Sequence, residues 1–436
     1  MKLHKVSALA AVSILAFAAC SSNGASTAPS AAPATEAPAS AAPATEAPAS
    51  AAPVEDPLGT VNIPAGEPLH IAYWGVLSGA DGTLGEDSKQ GVEVAIDDLG
   101  GKFKGHDIRL TTEDGLCTPE GGATAAQKLA ADSTIVGLIG SSCSDETVGG
   151  IKSITDAGMT TISPSNTRPA LTAPDRDASY AGYLRTAHSD AFQGKAAAEF
   201  VYNELKLTKA ATIHDGSTYA QALQQVFVDE FKKLGGTITA QEAVTKETTD
   251  MSEVLKTVAA SKPEIIYFPV FVAAAGFLRS QVGTVSGLEN VKTMGADGHF
   301  SPDFLKAAGQ SAVGHYLSSP DFSAFGTGYK DFLAKRLAKF GGSPLSVFHA
   351  HAYDATNILF AALDKVAVEN ADGSLTIGRG ALRDAIYATK DFKGITGTLT
   401  CSPSGDCGAP VIGVYVITKE NVDTLTMPTT PIWPKR

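Results

Sequence analysis

Short apolar strands alternate with amphipathic helices from about residue 68 onward. Residues 71–76 and 135–139 are typical of buried strands, whereas residues 119–131 and 145–156 carry apolar side chains at helical spacing. Parallel strands need long crossover connections, which helices usually supply. The alternation therefore predicts an α/β fold in which parallel sheets carry helices on both faces.

The same alternation starts again after Arg185. A chain of 436 residues is also too long for one ordinary core, so we expect two α/β lobes. The predicted helices of this part span residues 190–205, 219–234, 251–260, 273–282, 329–340, 347–369 and 377–388. The predicted strands span residues 210–214, 237–243, 265–268 and 291–295, and a final strand pair spans 397–400 and 411–417.

The first 57 residues have a different character. Lys2 and Lys5 precede an apolar stretch too short to cross a membrane, which runs into Ala-Ala-Cys20. This pattern predicts a signal peptide over residues 1–19 and lipid attachment at Cys20, with ordinary signal-peptidase cleavage as the alternative. The block AAPATEAPAS then occurs twice, so residues 20–57 are predicted to be a disordered tether before a binding domain at 58–436.

Four further cysteines suit an oxidising compartment outside the cytoplasm. Cys401 and Cys407 flank a turn-rich Ser-Pro-Ser-Gly-Asp segment and are predicted to clamp a terminal hairpin. Cys117 then pairs with Cys143. The alternative is that some of the four are free, buried thiols.

Composition and motifs exclude several classes of function. The formal net charge of −12, without a basic run, argues against nucleic acid as a partner. The chain lacks the G-x-S-x-G, H-E-x-x-H and P-loop motifs of common enzymes. His349 and His351 are two residues apart in a predicted helix, so they cannot share a face for a metal. We therefore expect no enzymatic activity, no cofactor and no metal site.

Seven short motifs stand at the ends of predicted strands or in the loops that follow them. They are Gly75–Gly79, Glu113–Pro119, Gly140–Ser144, Ser163–Thr167, Leu184–Thr186, His214–Tyr219 and Gly295–Gly298. In the same order, they resemble motifs of the type I periplasmic binding proteins for branched-chain and related amino acids. The resemblance covers about residues 68–420 and implies two Rossmann-like lobes joined by a hinge of three crossovers. It places residues 68–186 and 321–396 in lobe 1, and residues 187–320 and 397–427 in lobe 2.

The resemblance also implies a ligand site beyond the carboxyl ends of the strands. Ser144, at a helix start, and Thr167 would hold a ligand carboxylate, because hydroxyls and free helix N–H groups suit an anion. The Ser165 carbonyl and the Asp297 carboxylate would accept from the ligand ammonium. Without the family motif, Ser144 is better explained as a helix cap, and Asp297 is explained equally well as a turn residue.

Tyr219, Phe271 and Leu84 would complete the site with an aromatic face and an apolar side-chain pocket. These features favour a small neutral L-amino acid, with aliphatic ones first. Asp145 and Glu146 directly follow Ser144. If their side chains pointed into the site, an amide, a urea-like or a cationic ligand would fit better.

The function that the resemblance implies is solute capture for an ABC importer. The expected partners are the amino acid, the permease and ATPase subunits, and the membrane through the lipid anchor, with the protein itself a monomer outside the cytoplasm. The alternatives are a ligand-sensing subunit of a signalling receptor and a binder of an amide or urea-like solute.

Overall fold

The first lobe begins with the segment that follows the predicted tether. The computed structural model describes residues 56–435, so the predictions for residues 1–55, Cys20 included, lie outside the described residues. The elements of this first part are β1 (Thr60–Ile63), β2 (Leu69–Gly75), α1 (Gly82–Asp98), β3 (Lys102–Phe103), β4 (His106–Asp114), α2 (Pro119–Ala131), β5 (Ile135–Gly140), α3 (Ser144–Asp156), β6 (Thr161–Ser163) and β7 (Tyr183–Arg185).

The chain then builds the second lobe before it returns. The elements of the second lobe are α4 (Asp190–Glu199), β8 (Lys209–His214), α5 (Thr218–Lys233), β9 (Thr237–Ala243), α6 (Ser252–Ala260), β10 (Ile265–Tyr267), α7 (Val272–Val282), β11 (Lys292–Gly295), α8 (Pro302–Ala308) and β12 (Tyr316–Pro320). The predicted helix over 190–205 ends its α-helical part at Glu199 and continues as a π-helical turn, Phe200–Glu204.

The remaining elements return to the first lobe, except for the last two, β17 and α12, which belong to the second. They are α9 (Gly328–Phe340), α10 (His349–Val366), β13 (Val368–Glu369), β14 (Leu375–Gly378), α11 (Arg379–Tyr387), β15 (Phe392–Gly394), β16 (Gly397–Leu399), β17 (Ile412–Val416) and α12 (Lys419–Thr424). Short 3₁₀ turns lie at Pro169–Thr172, Ala178–Tyr180, Asp297–His299, Gly309–Ala312 and Phe322–Ala324.

Each lobe is centred on a six-stranded sheet, as the alternation of elements predicted. The first sheet has the order β3-β4-β2-β5-β6-β7 and is parallel except for β3. The second has the order β17-β12-β11-β10-β8-β9 and is parallel except for β17. Parallel strands end at a common edge, so the loops after β5, β6 and β11 can meet in the cleft between the lobes.

Helices cover both faces of these sheets. In lobe 1, Ile358 and Leu359 of α10 belong to the same core cluster as Ile71 and Ile162, while Trp74 packs into a cluster on the other face. In lobe 2, Phe227 stacks on Tyr267, with ring centroids 4.3 Å apart. Among residues 56–435, none of the helices combines the length and apolarity needed to span a bilayer.

Two sequence predictions about the last third of the chain are wrong. The helix predicted over 347–369 ends at Val366, because Val368–Glu369 pairs with β14 in a small antiparallel sheet that also contains β1. The strands predicted over 397–400 and 411–417 do not pair with each other. Instead, β16 pairs with β15, and β17 adds antiparallel to β12 in the second sheet.

The chain passes between the lobes at three places: after β7, after β12 and before β17. The third crossing comes later than the predicted residue 397, because Leu399 and Cys407 still pack in the core of lobe 1. The Cys407 amide also donates to the Arg185 carbonyl at the edge of the first sheet. Residues 397–407 therefore pack on lobe 1, and the crossing lies between Cys407 and Ile412.

Candidate functional site

A small buried cavity lies between the two lobes, and we call it the interlobe cavity. It contains about 230 Å³ of space free of protein atoms. Six of the residues predicted to bind ligand line it, whereas the larger groove lined by Phe103, Tyr353 and Phe392 contains none of them. The lining residues of the interlobe cavity are Leu84, Ser142, Cys143, Ser144, Ser165, Tyr219, Phe271, Asp297, Gly298 and Phe348.

Lobe 1 contributes two buried hydroxyl groups that are not committed to the protein. Ser144 is the first residue of α3, and its Oγ has no hydrogen-bond partner among the described residues. Thr167, in the loop after β6, is also buried, and its Oγ1 has no hydrogen-bond partner of good geometry in the described structure. A buried polar group without a partner is costly, so both hydroxyls are suited to receive a ligand. Thr167 does not line the interlobe cavity directly.

The two acids that follow Ser144 point away from the interlobe cavity. Glu146 accepts hydrogen bonds from the backbone amides of Ser142, Cys143 and Cys117 and so caps its own helix. Burial raises the pKa of Glu146 to about 7, against the effect of these amides. Asp145 accepts from the Thr218 amide of lobe 2 at 3.1 Å. Neither acid lines the interlobe cavity. The two acids therefore give no reason to expect an amide, a urea-like or a cationic ligand.

Ser165 lines the same wall but its hydroxyl is committed. Its Oγ donates to the Ser142 carbonyl at 2.8 Å, which ties the loop after β6 to the loop after β5. The predicted contribution of Ser165 is its backbone carbonyl, and the side-chain contact holds that loop in place. The two loops are therefore joined before any ligand is bound.

Lobe 2 places a carboxylate against this wall. Asp297 follows β11, is 4% exposed, and accepts from Gln193 Nε2 at 2.6 Å and from the Tyr219 hydroxyl at 3.0 Å. Burial raises the pKa of Asp297, and these two donors act in the opposite direction. Tyr219 thus has a polar role that its sequence position did not reveal. The donors hold the carboxylate at the cavity, where a ligand cation could pair with it.

Apolar side chains line the rest of the interlobe cavity. Leu84 and Phe348 come from lobe 1, and Phe271 comes from lobe 2 with its ring 5.1 Å from that of Tyr219. The Phe271 amide donates to Asp215 at 2.8 Å, which fixes the start of α7. The cavity therefore combines hydroxyls on one side, an acid on the other and an apolar surface between them.

Polar contacts between the lobes close the cleft around the interlobe cavity. Lys246 of lobe 2 donates to the Cys117 carbonyl of lobe 1 at 2.8 Å, and its Nζ lies 3.9 Å from Asp81. The same ammonium lies 4.5 Å from the centroid of the Phe271 ring. Thr83 and Ser301 form a further hydroxyl contact between the lobes at 3.2 Å. These contacts define the closed state.

Both predicted disulfide bonds are formed in the structure. Cys117 and Cys143, with Cα atoms 5.2 Å apart, join the loop after β4 to the residue that precedes α3. Cys401 and Cys407 also pair, but they close a loop on the edge of lobe 1 instead of the predicted terminal hairpin. Cys143 lines the interlobe cavity, so the first bond shapes the lobe 1 side of the cavity next to Ser144.

Sequence reasoning missed three residues around the cavity: Gln193, Asp190 and Phe348. Asp190 begins α4, and Gln193 lies one turn later on the face that meets Asp297. The sequence signal for these two residues was an acid at a predicted helix start with a Gln three residues later. An acid at that position is usually explained by its favourable interaction with the helix dipole, so it did not indicate a site. Phe348 precedes α10 and is distant in sequence from every motif, so only the folded chain brings it to the cavity.

Comparison with known proteins gives the same fold and the same class of binding protein. A family model described as periplasmic binding protein matches residues 68–415. The Leu/Ile/Val-binding protein homolog 3 of Brucella melitensis is 25% identical over 347 residues, covering 78% of this chain and 88% of that protein. The Leu/Ile/Val-binding protein of Escherichia coli is 27% identical over 261 residues, covering 59% and 69% of the two chains.

A solved structure is similar over most of the described chain. The branched-chain amino acid transporter substrate binding protein LivJ of Streptococcus pneumoniae, solved in complex with isoleucine, matches with a TM-score of 0.71 at 24% identity. The match covers 81% of this chain and 97% of that one. This likeness supports the two-lobed α/β architecture.

Proposed function

This chain belongs to the periplasmic binding protein family, and from this premise we propose that it captures a small neutral L-amino acid and delivers it to an ABC importer. The family and the relatives are binding proteins, so the prediction that the chain is not an enzyme is confirmed. The names of the Leu/Ile/Val-binding relatives support aliphatic amino acids as the first ligands to test.

One observation carries the choice of ligand: groups of opposite character line a single cavity from opposite lobes. Ser144 and the N-terminus of α3 face it from lobe 1, and Asp297 faces it from lobe 2. An α-carboxylate suits the hydroxyl and the positive end of a helix dipole, while an α-ammonium suits the acid. A ligand with both groups would bridge the lobes and hold the cleft closed.

The apolar wall supports the preference for a neutral side chain. Leu84, Phe271 and Phe348 offer no charge to a ligand side chain, and a charge buried there would lose its hydration without a partner.

Calorimetry on an Asp297→Ala variant tests the proposal. Removal of the carboxylate leaves the ligand ammonium unpaired in a dry cleft, so the affinity for L-leucine should fall by about 2–4 kcal/mol, or about 30- to 1,000-fold. Asp423→Ala is the matched control, because Asp423 is an exposed acid on α12 of the same lobe. Equal L-leucine affinity in both variants, or preference of the parent for an amide or urea over amino acids, would overturn the proposal.

The lipid anchor is a second part of the proposal. The described chain starts at Asp56, whose carboxylate accepts from the Gly380 and Ala381 amides at the start of α11. Residue 56 is therefore fixed to lobe 1. A lipid on Cys20 would hold the binding domain at the membrane through residues 20–55. We propose that the protein is located in this way on the extracytoplasmic face of the membrane.

A further inference from the structure

Asp190, the first residue of α4, is buried without a good hydrogen-bond partner for either carboxylate oxygen. Its backbone amide donates to the Thr167 carbonyl at 2.8 Å, which fixes it at the first crossing between the lobes. The Thr167 hydroxyl is close enough to affect the titration of the acid, although it makes no hydrogen bond of good geometry. An ionised carboxylate in this position would lose its hydration without compensation.

A second acid lies beside Asp190. One carboxylate oxygen of Asp190, one carboxylate oxygen of Asp297 and one ring nitrogen of His188 lie within 4.8 Å of one another. All three residues are buried. Two carboxylates at this distance in a dry environment do not both ionise readily, because each charge raises the pKa of its neighbour. The pair therefore favours one negative charge over two.

The basic groups that face this pair form no ion pair with Asp190, although the charge of Arg185 acts to lower the pKa of Asp190. His188 Nε2 donates to Gln193 Oε1 at 2.5 Å, and burial lowers the pKa of the His188 ring, which favours neutral imidazole. The Arg185 guanidinium is committed to Asp406 at 2.6 Å and to the carbonyl oxygen of Arg168.

The phenol groups that face the pair are also neutral. Burial raises the pKa values of Tyr219 and Tyr267, which keeps both side chains uncharged. The remaining polar neighbour, Ser318, is a hydroxyl that Gln193 contacts. No basic side chain in the described structure therefore pairs directly with the Asp190 carboxylate.

The hydrogen bonds decide which acid keeps the proton. Asp297 accepts from Gln193 and Tyr219, and such donors stabilise the ionised form. Asp190 has no equivalent donors, and desolvation followed by the charge of Asp297 raises the pKa of Asp190 well above its usual range.

We propose that Asp190 is a neutral carboxylic acid, so that Asp297 is the single negative charge of this acid pair. Asp190 is then a positioning residue, buried beside the Asp297 carboxylate without adding a second negative charge. Under the proposed function, on which this consequence rests, one carboxylate matches the one ammonium of a neutral amino acid. Two ionised carboxylates would instead favour a ligand with two positive charges.

The pH dependence of stability tests the assignment without any ligand. If the pKa of Asp190 is higher in the folded protein than in the unfolded chain, its protonation stabilises the fold. This contribution is fully present below the pKa of the unfolded chain and is lost as the pH rises toward the pKa of the folded protein. Asp190→Asn copies the neutral acid and lacks this loss. The melting temperature of the variant minus that of the parent should therefore increase by about 1–3 °C per pH unit above pH ~4.

Infrared spectroscopy on the parent gives an independent readout. At neutral pH the parent should show a protonated-carboxyl C=O band that Asp190→Asn removes, even though other buried acids such as Glu146 contribute to the same region. A melting-temperature difference that stays constant with pH, together with no lost band, would show that Asp190 is ionised and paired with a protonated His188. Because neither readout uses a ligand, failure here is distinct from failure of the amino-acid assignment.

Discussion

Ser144 buries a hydroxyl that no other described residue uses, and this makes its contribution separable from stability. Ser144→Ala should weaken L-leucine binding by about 1.5–3 kcal/mol, because a hydrogen bond to a charged carboxylate is lost. The free energy of unfolding of the ligand-free protein should change by less than about 0.5 kcal/mol. Calorimetry and denaturant unfolding measure the two effects.

Ser141 provides the control, since its hydroxyl donates to the Cys143 carbonyl at 3.0 Å and does not line the interlobe cavity. Ser141→Ala should show the opposite pattern, with reduced stability and a smaller change in affinity. If Ser144→Ala destabilises the protein but binds leucine unchanged, Ser144 is only part of the helix start.

Individual site residues were predictable where a local motif carries them. Ser144 and Asp297 each follow a strand within a short, distinctive motif, and both line the interlobe cavity. Gln193 and Phe348 reach the site through contacts between distant parts of the chain, which no local pattern records. The orientation of Glu146 depends on three backbone amides and was likewise visible only in the folded chain.

Among the structural elements, the Cys117–Cys143 disulfide bond next to the interlobe cavity is predicted to affect both the stability of the protein and its affinity for ligand. Replacement of Cys117 and Cys143 by Ala should cost about 3–4 kcal/mol of stability for a sequence separation of 26. It should also weaken leucine binding, because Cys143 precedes α3 and the Cys117 carbonyl accepts from Lys246 across the cleft. Thermal melts and calorimetry of the double variant check both effects.

The Cys401–Cys407 pair is the matched control. The two cysteines are six residues apart in sequence, so replacing both by Ala should lower the free energy of unfolding by about 2 kcal/mol. Neither residue lines the interlobe cavity. Leucine affinity should stay within about twofold. Similar losses of affinity in both double variants would show a general effect of stability on binding.

Periodicity predicted the elements of both six-stranded sheets well, because each buried strand and helix carries its own apolar pattern. α2 and β9 have the predicted bounds. Pairing at the edges was not predictable in the same way. The sheet of β1, β14 and β13 joins Thr60 to Gly378, and this long-range register leaves no signal in either segment alone.

For the whole molecule, we predict that a lipid on Cys20 anchors the binding domain to the membrane. Cys20→Ala should leave the protein without lipid, so that it is released from the membrane fraction. Fractionation of cells and the mass of the mature protein measure this. Unchanged retention with an unchanged mass would mean that another feature holds the protein at the membrane.

We propose that the two lobes close around one ligand and that closure depends on both ends of that ligand. Lobe 1 offers Ser144 and lobe 2 offers Asp297, so loss of either ligand group should remove one lobe's contact. The partly buried Lys246 contacts already join the lobes, and we expect the ligand to add its own bridge to them.

The most direct test is calorimetry of three ligands that share one side chain: L-leucine, 4-methylpentanoate without the ammonium, and 3-methylbutylamine without the carboxylate. We predict that the purified protein binds leucine and that each truncated compound binds at least about 30-fold more weakly, since each leaves one lobe's polar group unpaired in a dry cleft. Equal or tighter binding of either truncated compound would contradict the account, because the interlobe cavity would then not recognise an amino acid by its two charged ends.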